Sequence, residues 1–200
     1  MAVLDGAPGS DPLAVLNAWY EEATRRGEAM PDAMTLATAN PEGQPSARVV
    51  LFKGTKRGGV FFVTNYQSRK ARELDQNPRA ALVMHYPVWQ RQVRLEGRVE
   101  RASAAESDEY FASRGRGSQL GAWASPQSQP LASRSELEER TRELEARFAG
   151  GPVPRPEFWG GYLVFPERVE LWLGREDRLH DRFLYSRAAD GAWACQRLAP

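Results

Sequence analysis

The alternation of apolar and polar residues along the chain predicts a protein built mainly from short antiparallel β-strands. Nine segments have the period-two alternation or the β-branched content of half-buried strands. These predicted strands cover residues 34–39, 46–53, 60–64, 80–86, 92–101, 161–165, 168–173, 178–187 and 193–198. Turn sequences such as Asn40-Pro41-Glu42-Gly43 and Asp190-Gly191 join neighbouring strands, which favours hairpins and an antiparallel meander.

Apolar residues at helical spacing, together with helix start and stop signals, predict helices between the strands. The predicted helices cover residues 11–27, 69–77, 103–113 and 135–148. Asp11 followed by Pro12 is typical of an N-cap and a first helical position, and Ser103 with Glu106 forms a capping box. Residues 114–118, Arg-Gly-Arg-Gly-Ser, are expected to form a flexible basic connection.

Nine short strands with three or four helices between them predict a mainly β fold of the α+β class, a closed or split antiparallel barrel with peripheral helices. No repeat and no linker composition divides the chain, so residues 1–200 are expected to form a single domain. Residues 1–10 are expected to be disordered, and residues 11–27 to form an N-terminal packing helix.

Composition narrows the classes of function. Of the 200 residues, 42% are hydrophobic and 26% are charged, so the chain can bury one core and is neither disordered nor collagen-like. The formal net charge of +1 argues against a general binder of nucleic acid. No apolar run reaches the roughly 18 residues of a membrane span, and Met1–Ser10 lacks the pattern of a secretory signal, so a cytoplasmic location is expected.

Cysteine and histidine are too scarce for several kinds of site. Cys195 is the only cysteine, and His85 and His180 are the only histidines. Disulfide frameworks, zinc clusters and cysteine–histidine nucleophile pairs built from several such residues are therefore excluded, and no metal site is expected. If the protein catalyses a reaction, it would then need an organic cofactor.

Basic residues gather at places that suit phosphate groups. Ser68-Arg69-Lys70 combines a hydroxyl group, two cations and helix N-terminal amides, a sensible phosphate cradle, although an ordinary N-cap with solvated basic side chains has the same sequence. Arg48 and Lys53 would point to opposite faces of a regular strand and could serve two anionic groups, but Lys53 could equally be a strand-end charge in water. Two phosphate sites without a Walker or Rossmann glycine pattern indicate a phosphorylated cofactor and a phosphorylated substrate.

The stretch Arg178-Leu179-His180-Asp181-Arg182 does not fit a core strand. In an extended conformation it places Arg178, His180 and Arg182 on one face and Leu179 on the other. Burying two guanidinium groups and an imidazole without anionic or polar partners would cost free energy. The face is therefore either a solvated surface or part of a binding site, and the spacing alone leaves both interpretations open.

Several ordered motifs occur together over residues 32–200. They are Arg48-Val-Val-Leu-Phe-Lys53, Thr64-Asn with Ser68-Arg-Lys70, Arg91-Gln-Val93, Tyr110-Phe-Ala-Ser-Arg114, Ser118-Gln-Leu-Gly-Ala-Trp123, Phe158-Trp-Gly-Gly161, Arg178-Leu-His-Asp-Arg-Phe183 and Arg197-Leu-Ala-Pro200. Through these motifs the chain resembles the pyridoxamine 5′-phosphate oxidase family of flavin enzymes. The resemblance implies a split β-barrel homodimer with two FMN sites at the subunit interface.

The resemblance also implies site residues, position by position. FMN contacts are expected from Arg48, Val49, Val50, Leu51, Phe52, Lys53, Val63, Thr64, Arg69, Lys70 and Gln92 of one subunit, with Gln127, Ser128, Trp172 and Arg182 completing the site. The substrate phosphate is expected on Lys53, Tyr110, Arg114 and Ser118, while Arg178 and His180 cover the pyridine ring and act in catalysis. The implied reaction, in vitamin B6 metabolism, is oxidation of pyridoxamine or pyridoxine 5′-phosphate to pyridoxal 5′-phosphate by dioxygen, with release of hydrogen peroxide and, from the amine, ammonia.

The sequence departs from the family pattern at two places. Related enzymes carry an N-terminal arginine and tyrosine that fold over the substrate, whereas this sequence has no arginine before Arg25 and no tyrosine before Tyr20. Another residue is therefore expected to close the site, or the substrate to bind more weakly. Val63 stands where an aromatic residue is common, and a backbone contact to FMN would survive this change.

Two alternative functions stay open at this point. One is a split-barrel flavin oxidoreductase that acts on another reductant; such a protein would keep the FMN residues and lose the substrate residues, which are present here. The other is a non-catalytic carrier of flavin or of a vitamin B6 phosphate, which needs the same phosphate contacts.

Overall fold

One antiparallel sheet of nine strands, with five α-helices packed around it, forms the fold of residues 6–200, which a computed structural model describes. The helices are α1 (Pro12–Arg25), α2 (Arg69–Gln76), α3 (Ala104–Ala112), α4 (Arg116–Ala124) and α5 (Arg134–Arg147). The strands are β1 (Ala33–Ala39), β2 (Pro45–Leu51), β3 (Thr55–Lys56), β4 (Gly59–Asn65), β5 (Arg79–Tyr86), β6 (Arg91–Arg101), β7 (Trp159–Leu173), β8 (Asp181–Arg187) and β9 (Trp193–Leu198). A turn of 3₁₀-helix, Glu176–Arg178, lies between β7 and β8.

The strands close into a split barrel. Their order is β2-β1-β5-β6-β7-β4-β3, all pairings are antiparallel, and β8 lies between β7 and β9. The connection from β2 to β3 also pairs with β4, since Lys53 N–H donates to Phe61 O at 2.9 Å and Phe61 N–H donates to Gly54 O at 2.9 Å. Because β7 pairs with β4 along its first half and with β8 along its second, the sheet divides there. The predicted antiparallel split barrel with peripheral helices is confirmed.

Alternating side chains fill the interior of the barrel. In β5 every second residue from Ala80 to Tyr86 is buried, which is the period of a strand with one face in a core. Helix α1 adds Leu16 to the same core, and Asp11 caps this helix by accepting a hydrogen bond from Leu13 N–H at 3.0 Å. Each fully buried leucine or methionine side chain contributes about 1.5–3 kcal/mol to folding, so the core holds the strands that carry the site.

The N-terminal segment lies against the barrel. Of the residues 1–10 that are predicted to be disordered, residues 1–5 lie outside the described residues. In the remainder, Tyr185 Oη donates to Gly9 O at 2.7 Å and Ala7 packs against the core. The predicted helix over residues 11–27 is confirmed as α1. Within residues 6–200, no helix combines the length and the apolar character that crossing a bilayer requires.

One long strand replaces two predicted strands. β7 is continuous over its 15 residues, so the prediction of separate strands at 161–165 and 168–173 is wrong. The strand accommodates Pro166 because its register with β6 shifts between Glu96 and Gly97, and Gly97 lies opposite Pro166. A Cβ on Gly97 would lie 2.0 Å from Phe165 O, so only glycine allows this close approach.

The segment before β8 curls instead of extending. The strand predicted over residues 178–187 begins only at Asp181. Asp177 and Arg178 have φ angles of 52° and 61°, in the left-handed region, which costs about 1 kcal/mol or more for residues with a Cβ. Leu179 is 69% exposed instead of packed in the core. Arg178 and His180 therefore do not share a strand face with Arg182, and that prediction is wrong.

Three further differences from the predicted elements are local. The predicted flexible connection 114–118 contains the start of α4, which forms despite its glycines because Leu120 and Ala124 are buried. The strand predicted over 46–53 ends at Leu51. Lys53 follows β2, so the alternation of side chains along that strand does not decide the direction of its side chain. The two-residue strand β3 is too short to leave a pattern in the sequence.

A buried carboxylate joins α2 to the β1–β2 hairpin. Glu73 is 6% exposed, and its Oε2 accepts hydrogen bonds from Thr38 Oγ1 at 2.5 Å and from Ser46 Oγ at 2.6 Å. The same oxygen lies 3.3 Å from Arg48 Nη2, and Oε1 accepts from Arg69 Nε at 2.8 Å. Burial by itself would raise the pKa of Glu73, but these hydrogen bonds outweigh burial and lower the pKa from 4.5 to about 2. The charged form of Glu73 therefore holds the helix on the hairpin.

Glu73→Gln is expected to reduce the free energy of unfolding by about 2 kcal/mol at neutral pH, because hydrogen bonds to a charged group are lost. A carboxyl group with a lowered pKa stabilises the fold above its unfolded pKa, and this contribution disappears as the pH falls through the folded pKa. The difference between the two proteins should therefore shrink as the pH falls from 4.5 towards about 2. Urea unfolding of both proteins at a series of pH values, from neutral downward, measures this difference in the free energy of unfolding.

Glu42→Gln is the matched control for this prediction. Glu42 is exposed in the turn of the same hairpin, so its substitution changes the net charge equally without touching the buried network. A stability difference between wild type and Glu73→Gln that stays constant with pH would contradict the proposed role of the charged carboxylate.

Candidate active site

A cavity of about 510 Å³ lies between β2, β4, α2 and the α3–α4 segment, and its volume is typical of a small-molecule site. It is lined by Arg48, Val49, Val50, Leu51, Lys53, Val63, Thr64, Lys70, Tyr110, Arg114, Gly115, Ser118, Gln127 and Trp159. Twelve of these residues are among the predicted FMN and substrate contacts. The fold therefore brings together predicted contacts that lie up to 79 positions apart in the sequence, from Arg48 to Gln127.

The lining of the cavity carries positive charge and no carboxylate. Its four cations are Arg48, Lys53, Lys70 and Arg114. Two of them have acidic partners outside the lining, since Arg48 pairs with Glu73 and Lys53 Nζ lies 2.9 Å from Asp32 Oδ2. The other two face the cavity without an acidic partner within the described residues 6–200. The cavity is therefore suited to an anionic ligand.

Lys70 is a buried cation with neutral partners. Its side chain donates from Nζ to Gln127 Oε1 at 2.9 Å and to Thr64 Oγ1 at 3.1 Å, and Ser68 Oγ lies at 3.4 Å. Burial lowers the pKa of Lys70 from 10.5 to about 8, and the charge of Arg48 adds to this effect. A phosphate group here would favour the charged ammonium form, which agrees with the predicted phosphate cradle.

Arg114 has a buried donor that is left unpaired. Within residues 6–200, Arg114 Nη1 is the buried side-chain nitrogen that finds no hydrogen-bond partner. The guanidinium group lies over the Trp159 ring, with Cζ 4.7 Å from the ring centroid, and burial lowers its pKa. Leaving such a donor unsatisfied is costly, so a ligand with acceptor oxygens is expected to complete this part of the cavity.

A second group of predicted site residues lies apart from this cavity. Gln92, Trp172 and Arg182 are neighbours across the adjacent strands β6, β7 and β8. The His180 ring packs against Trp172 with ring centroids 4.6 Å apart. Glu170 holds the Arg182 guanidinium group through contacts of 2.8 Å and 3.1 Å. None of these residues lines the cavity, so within one described chain the predicted site is divided into two parts.

The remaining predicted residues do not line the cavity either. Phe52 belongs to the core, and its ring packs edge-on against Tyr20. Arg69 is 59% exposed and pairs with Glu73, and Ser128 is exposed. Arg178 is exposed in the curled segment before β8.

The structure places Gln92 and Gln127 each in the group of residues where the other was predicted. Gln92 is expected with the residues of the cavity, but the structure places it beside Trp172. Gln127 is expected among the residues that complete the site, but it lies in the cavity and accepts from Lys70. Which glutamine contacts FMN, and from which subunit, stays a prediction.

Some residues of the cavity were missed from the sequence. Trp159 and Gly115 line it, and Glu73 and Asp32 hold two of its cations. Glu73 could have been found, since it lies four positions after Arg69 on a predicted helix, where ion pairs form. Asp32 left no such signal, because it pairs with a residue 21 positions away.

Two family models together match most of the chain. Residues 20–148 match the model described as Pyridoxamine 5′-phosphate oxidase. The chain belongs to the pyridoxamine 5′-phosphate oxidase family. Residues 159–200 match the model described as Pyridoxine 5′-phosphate oxidase C-terminal dimerisation region, which contains the second group of site residues apart from Gln92. The resemblance noted from the motifs is confirmed, and the chain is an oxidoreductase of this family.

Relatives of this family match the chain over nearly its whole length. The pyridoxine/pyridoxamine 5′-phosphate oxidase of Rubrobacter xylanophilus is 58% identical over 196 residues, covering 98% of this chain and 89% of that protein. The enzyme of the same name from Psychromonas ingrahamii is 52% identical over 191 residues, covering 96% and 88%.

Solved structures share the fold. The structure of PhzG from Burkholderia lata 383, in complex with tetrahydrophenazine-1-carboxylic acid, matches with a TM-score of 0.92 and 31% identity, covering 100% of this chain and 98% of that chain. A pyridoxamine 5′-phosphate oxidase-related, FMN binding protein from Nostoc punctiforme matches with a TM-score of 0.78 and 20% identity, covering 96% and 100%. The second likeness bears on the fold alone.

The cofactor of the pyridoxamine 5′-phosphate oxidase family, FMN, fits the residues of the cavity. The lining offers cations for a phosphate group, and Lys70 and Arg114 have no acidic partner within residues 6–200. The apolar side chains of Val49, Val50 and Leu51 line the same cavity and suit an aromatic ring system. The prediction of FMN as the cofactor is supported by the family and by this chemistry.

FMN affinity is expected to fall as the pH rises above about 8, because Lys70 then loses its proton in the ligand-free protein. A bound phosphate raises the pKa of this lysine, so the dissociation constant should increase by up to tenfold per pH unit. Lys70→Arg keeps a positive charge at every pH tested and should remove this dependence. Quenching of flavin fluorescence measures the dissociation constant.

Lys56→Arg is the control, since Lys56 is a surface lysine that pairs with Glu109 outside the cavity. This variant should keep the pH dependence of the wild type. Equal pH dependence in wild type and Lys70→Arg would show that another group carries the effect.

Proposed function

We propose that this pyridoxamine 5′-phosphate oxidase family member oxidises pyridoxamine 5′-phosphate and pyridoxine 5′-phosphate to pyridoxal 5′-phosphate, with FMN as cofactor and dioxygen as acceptor. Hydrogen peroxide is the second product, and the amine substrate also releases ammonia by hydrolysis of the imine. Bound FMN supplies the two-electron redox chemistry. The protein's part is to bind, orient and shield the substrate.

The observation that carries this proposal is the unpaired Arg114 beside the predicted FMN residues. Tyr110, Arg114 and Ser118, which are predicted to hold the substrate phosphate, line the same cavity as Thr64 and Lys70. Charge-assisted hydrogen bonds contribute on the order of 1.5–3 kcal/mol each, so a few of them supply most of the free energy of a micromolar complex. A phosphate held on Arg114 would orient the rest of the substrate in the cavity.

The second group of residues requires a partner subunit in this proposal. Trp172, His180 and Arg182 lie in the region that matches the family's dimerisation model, and they do not line the cavity of their own chain. In a symmetric homodimer each subunit would offer these residues to the cavity of the other. Arg178 and His180 would then cover the substrate ring, and Arg182 would contact FMN.

The test of the reaction uses the FMN-loaded protein without oxygen. Addition of pyridoxine 5′-phosphate is expected to remove the visible absorbance of the flavin, and admission of air should restore it with formation of hydrogen peroxide. Binding of FMN without bleaching by pyridoxine or pyridoxamine 5′-phosphate would contradict the proposal. The function would then be that of another flavin oxidoreductase or of a non-catalytic carrier.

The shared site is tested by mixing two inactive variants. Lys53→Ala damages the cavity, and Arg178→Ala damages the segment before β8 that the partner would contribute together with the second group. If the site is built from both subunits, a heterodimer of the two variants has one intact site and should recover about half of the wild-type activity. Purification with two different affinity tags isolates the heterodimer, and activity is measured per dimer.

Each parent homodimer serves as a control, because both of its sites carry one damaged residue. If the two groups acted within one subunit, both sites of the heterodimer would also be damaged. A heterodimer as inactive as its parents would therefore contradict the shared site while leaving the oxidase reaction itself open to the anaerobic test.

A further inference from the structure

The segment between β7 and β8 makes a hydrogen bond that an extended chain could not make. Arg175 N–H donates to His180 Nδ1 at 3.1 Å, which closes a loop of six residues. Asp177 and Arg178 reverse the chain inside this loop through their positive φ angles of 52° and 61°. Strained backbone of this kind persists only where the surrounding structure holds it, and it is often found at functional sites.

This hydrogen bond determines which nitrogen of His180 carries the proton. A neutral imidazole has one N–H donor and one acceptor nitrogen. Because Nδ1 accepts from Arg175, the proton of the neutral ring must lie on Nε2. The ring also packs against Trp172, with centroids 4.6 Å apart, so its orientation is set from two sides. His180 is thereby prepared to donate a hydrogen bond from Nε2.

The side chain of Asp181 holds the other end of the loop. Asp181 Oδ2 accepts from Arg175 Nε at 2.8 Å, and Oδ1 accepts from Arg197 on β9. Asp181 is itself the first residue of β8, where it pairs with Leu173 of β7. Hydrogen bonds from Arg175 and Arg197 hold the pKa of Asp181 below its ordinary value, so the carboxylate is charged at neutral pH. Arg175 thus links the fixed strand to the imidazole.

We propose that Asp181 is a positioning residue that, through Arg175, fixes His180 as an Nε2–H donor to an acceptor atom of the substrate ring. This inference rests on the proposed function in one respect, that the substrate ring lies against His180. His180 in this state gives a hydrogen bond and does not take a proton from the substrate, since its acceptor nitrogen is occupied. Arg178 lies inside this loop, so the contacts of Arg175 with His180 and Asp181 also restrict the position of Arg178.

Nuclear magnetic resonance tests the loop without any substrate. The chain has two histidines, so uniformly ¹⁵N-labelled protein gives few imidazole nitrogen signals, and the variant His85→Gln assigns those of His180. At a pH where both rings are neutral, His180 should show a protonated Nε2, an unprotonated Nδ1, and a coupling across the hydrogen bond to the Arg175 amide. Asp181→Asn should lose this coupling and mix the two tautomers.

Two further variants make the result specific. Arg175→Met breaks the same link from its exposed side, so it should fold and lose the coupling even if Asp181→Asn does not fold. Glu176→Gln removes a negative charge from the same loop, but this exposed side chain makes no hydrogen bond or ion pair within residues 6–200, so the coupling should remain.

Steady-state kinetics test what the link does for the reaction. Asp181→Asn and Arg175→Met are expected to lower kcat by about tenfold with little change in KM, because other residues hold the substrate phosphate. FMN occupancy and melting temperature should stay close to those of wild type, and Glu176→Gln should have wild-type kinetics. A general loss of structure would instead change occupancy, melting temperature and KM together.

The proposal fails if Asp181→Asn and Arg175→Met keep the coupling to His180, or if they lose it and kcat is unchanged. A failure of the proposed function would give a different result from a failure of this proposal. In that case the wild-type protein oxidises neither phosphate ester, while the spectra still show whether Asp181 and Arg175 fix the imidazole.

Discussion

The cavity depends on one buried carboxylate that lies between several cations. Glu73 accepts hydrogen bonds from both strands of the β1–β2 hairpin and from its own helix, so it sets the distance between two walls of the cavity. Arg48, Arg69 and Lys70 would otherwise repel one another. Burial is the main cause of the lowered pKa of Lys70, and the charge of Arg48 adds to it. A neutral residue could fill the same space, but it could not offset this repulsion.

Acidic residues pair with two of the four cations of the cavity and leave the other two available to a ligand. Glu73 and Asp32 pair with Arg48 and Lys53, yet Lys70 has neutral partners and Arg114 Nη1 has none among the described residues. The core and the helices hold these donors in place before any ligand arrives, so a phosphate ligand would not bear the cost of ordering them. The free energy of folding thus holds unpaired donors in the cavity, and an anionic ligand supplies the acceptors that they lack.

Much of the fold could be predicted from the sequence because its signals are local. Alternation predicted most strands, and the capping box at Ser103 and the Asp11-Pro12 start predicted helix ends that the structure confirms. The exceptions depend on tertiary contacts. β7 continues through Pro166 because Gly97 on another strand makes room, and the segment at Arg178 curls although its residues alternate like a strand.

The candidate site was predictable as a set of residues but not as an arrangement. The motifs identified twelve residues that line the cavity, yet nothing local showed that Lys53 pairs with Asp32 or that Gln127 reaches Lys70. Such contacts join residues 21 and 57 positions apart, and only the closed barrel decides them.

The separation of the two groups of site residues links assembly to chemistry. The cavity is built mainly from β2, β4, α2 and the α3–α4 segment, whereas Trp172, His180 and Arg182 lie on or beside the second half of β7 and β8, in the region matched by the dimerisation model. In the proposed dimer, the surface that joins two subunits also carries the residues that each cavity lacks. An isolated subunit would then hold phosphate without the groups that cover the ring. In the proposed dimer, the loop at Arg175 and Asp181 would fix His180 on one subunit before this side chain meets the ligand of the other.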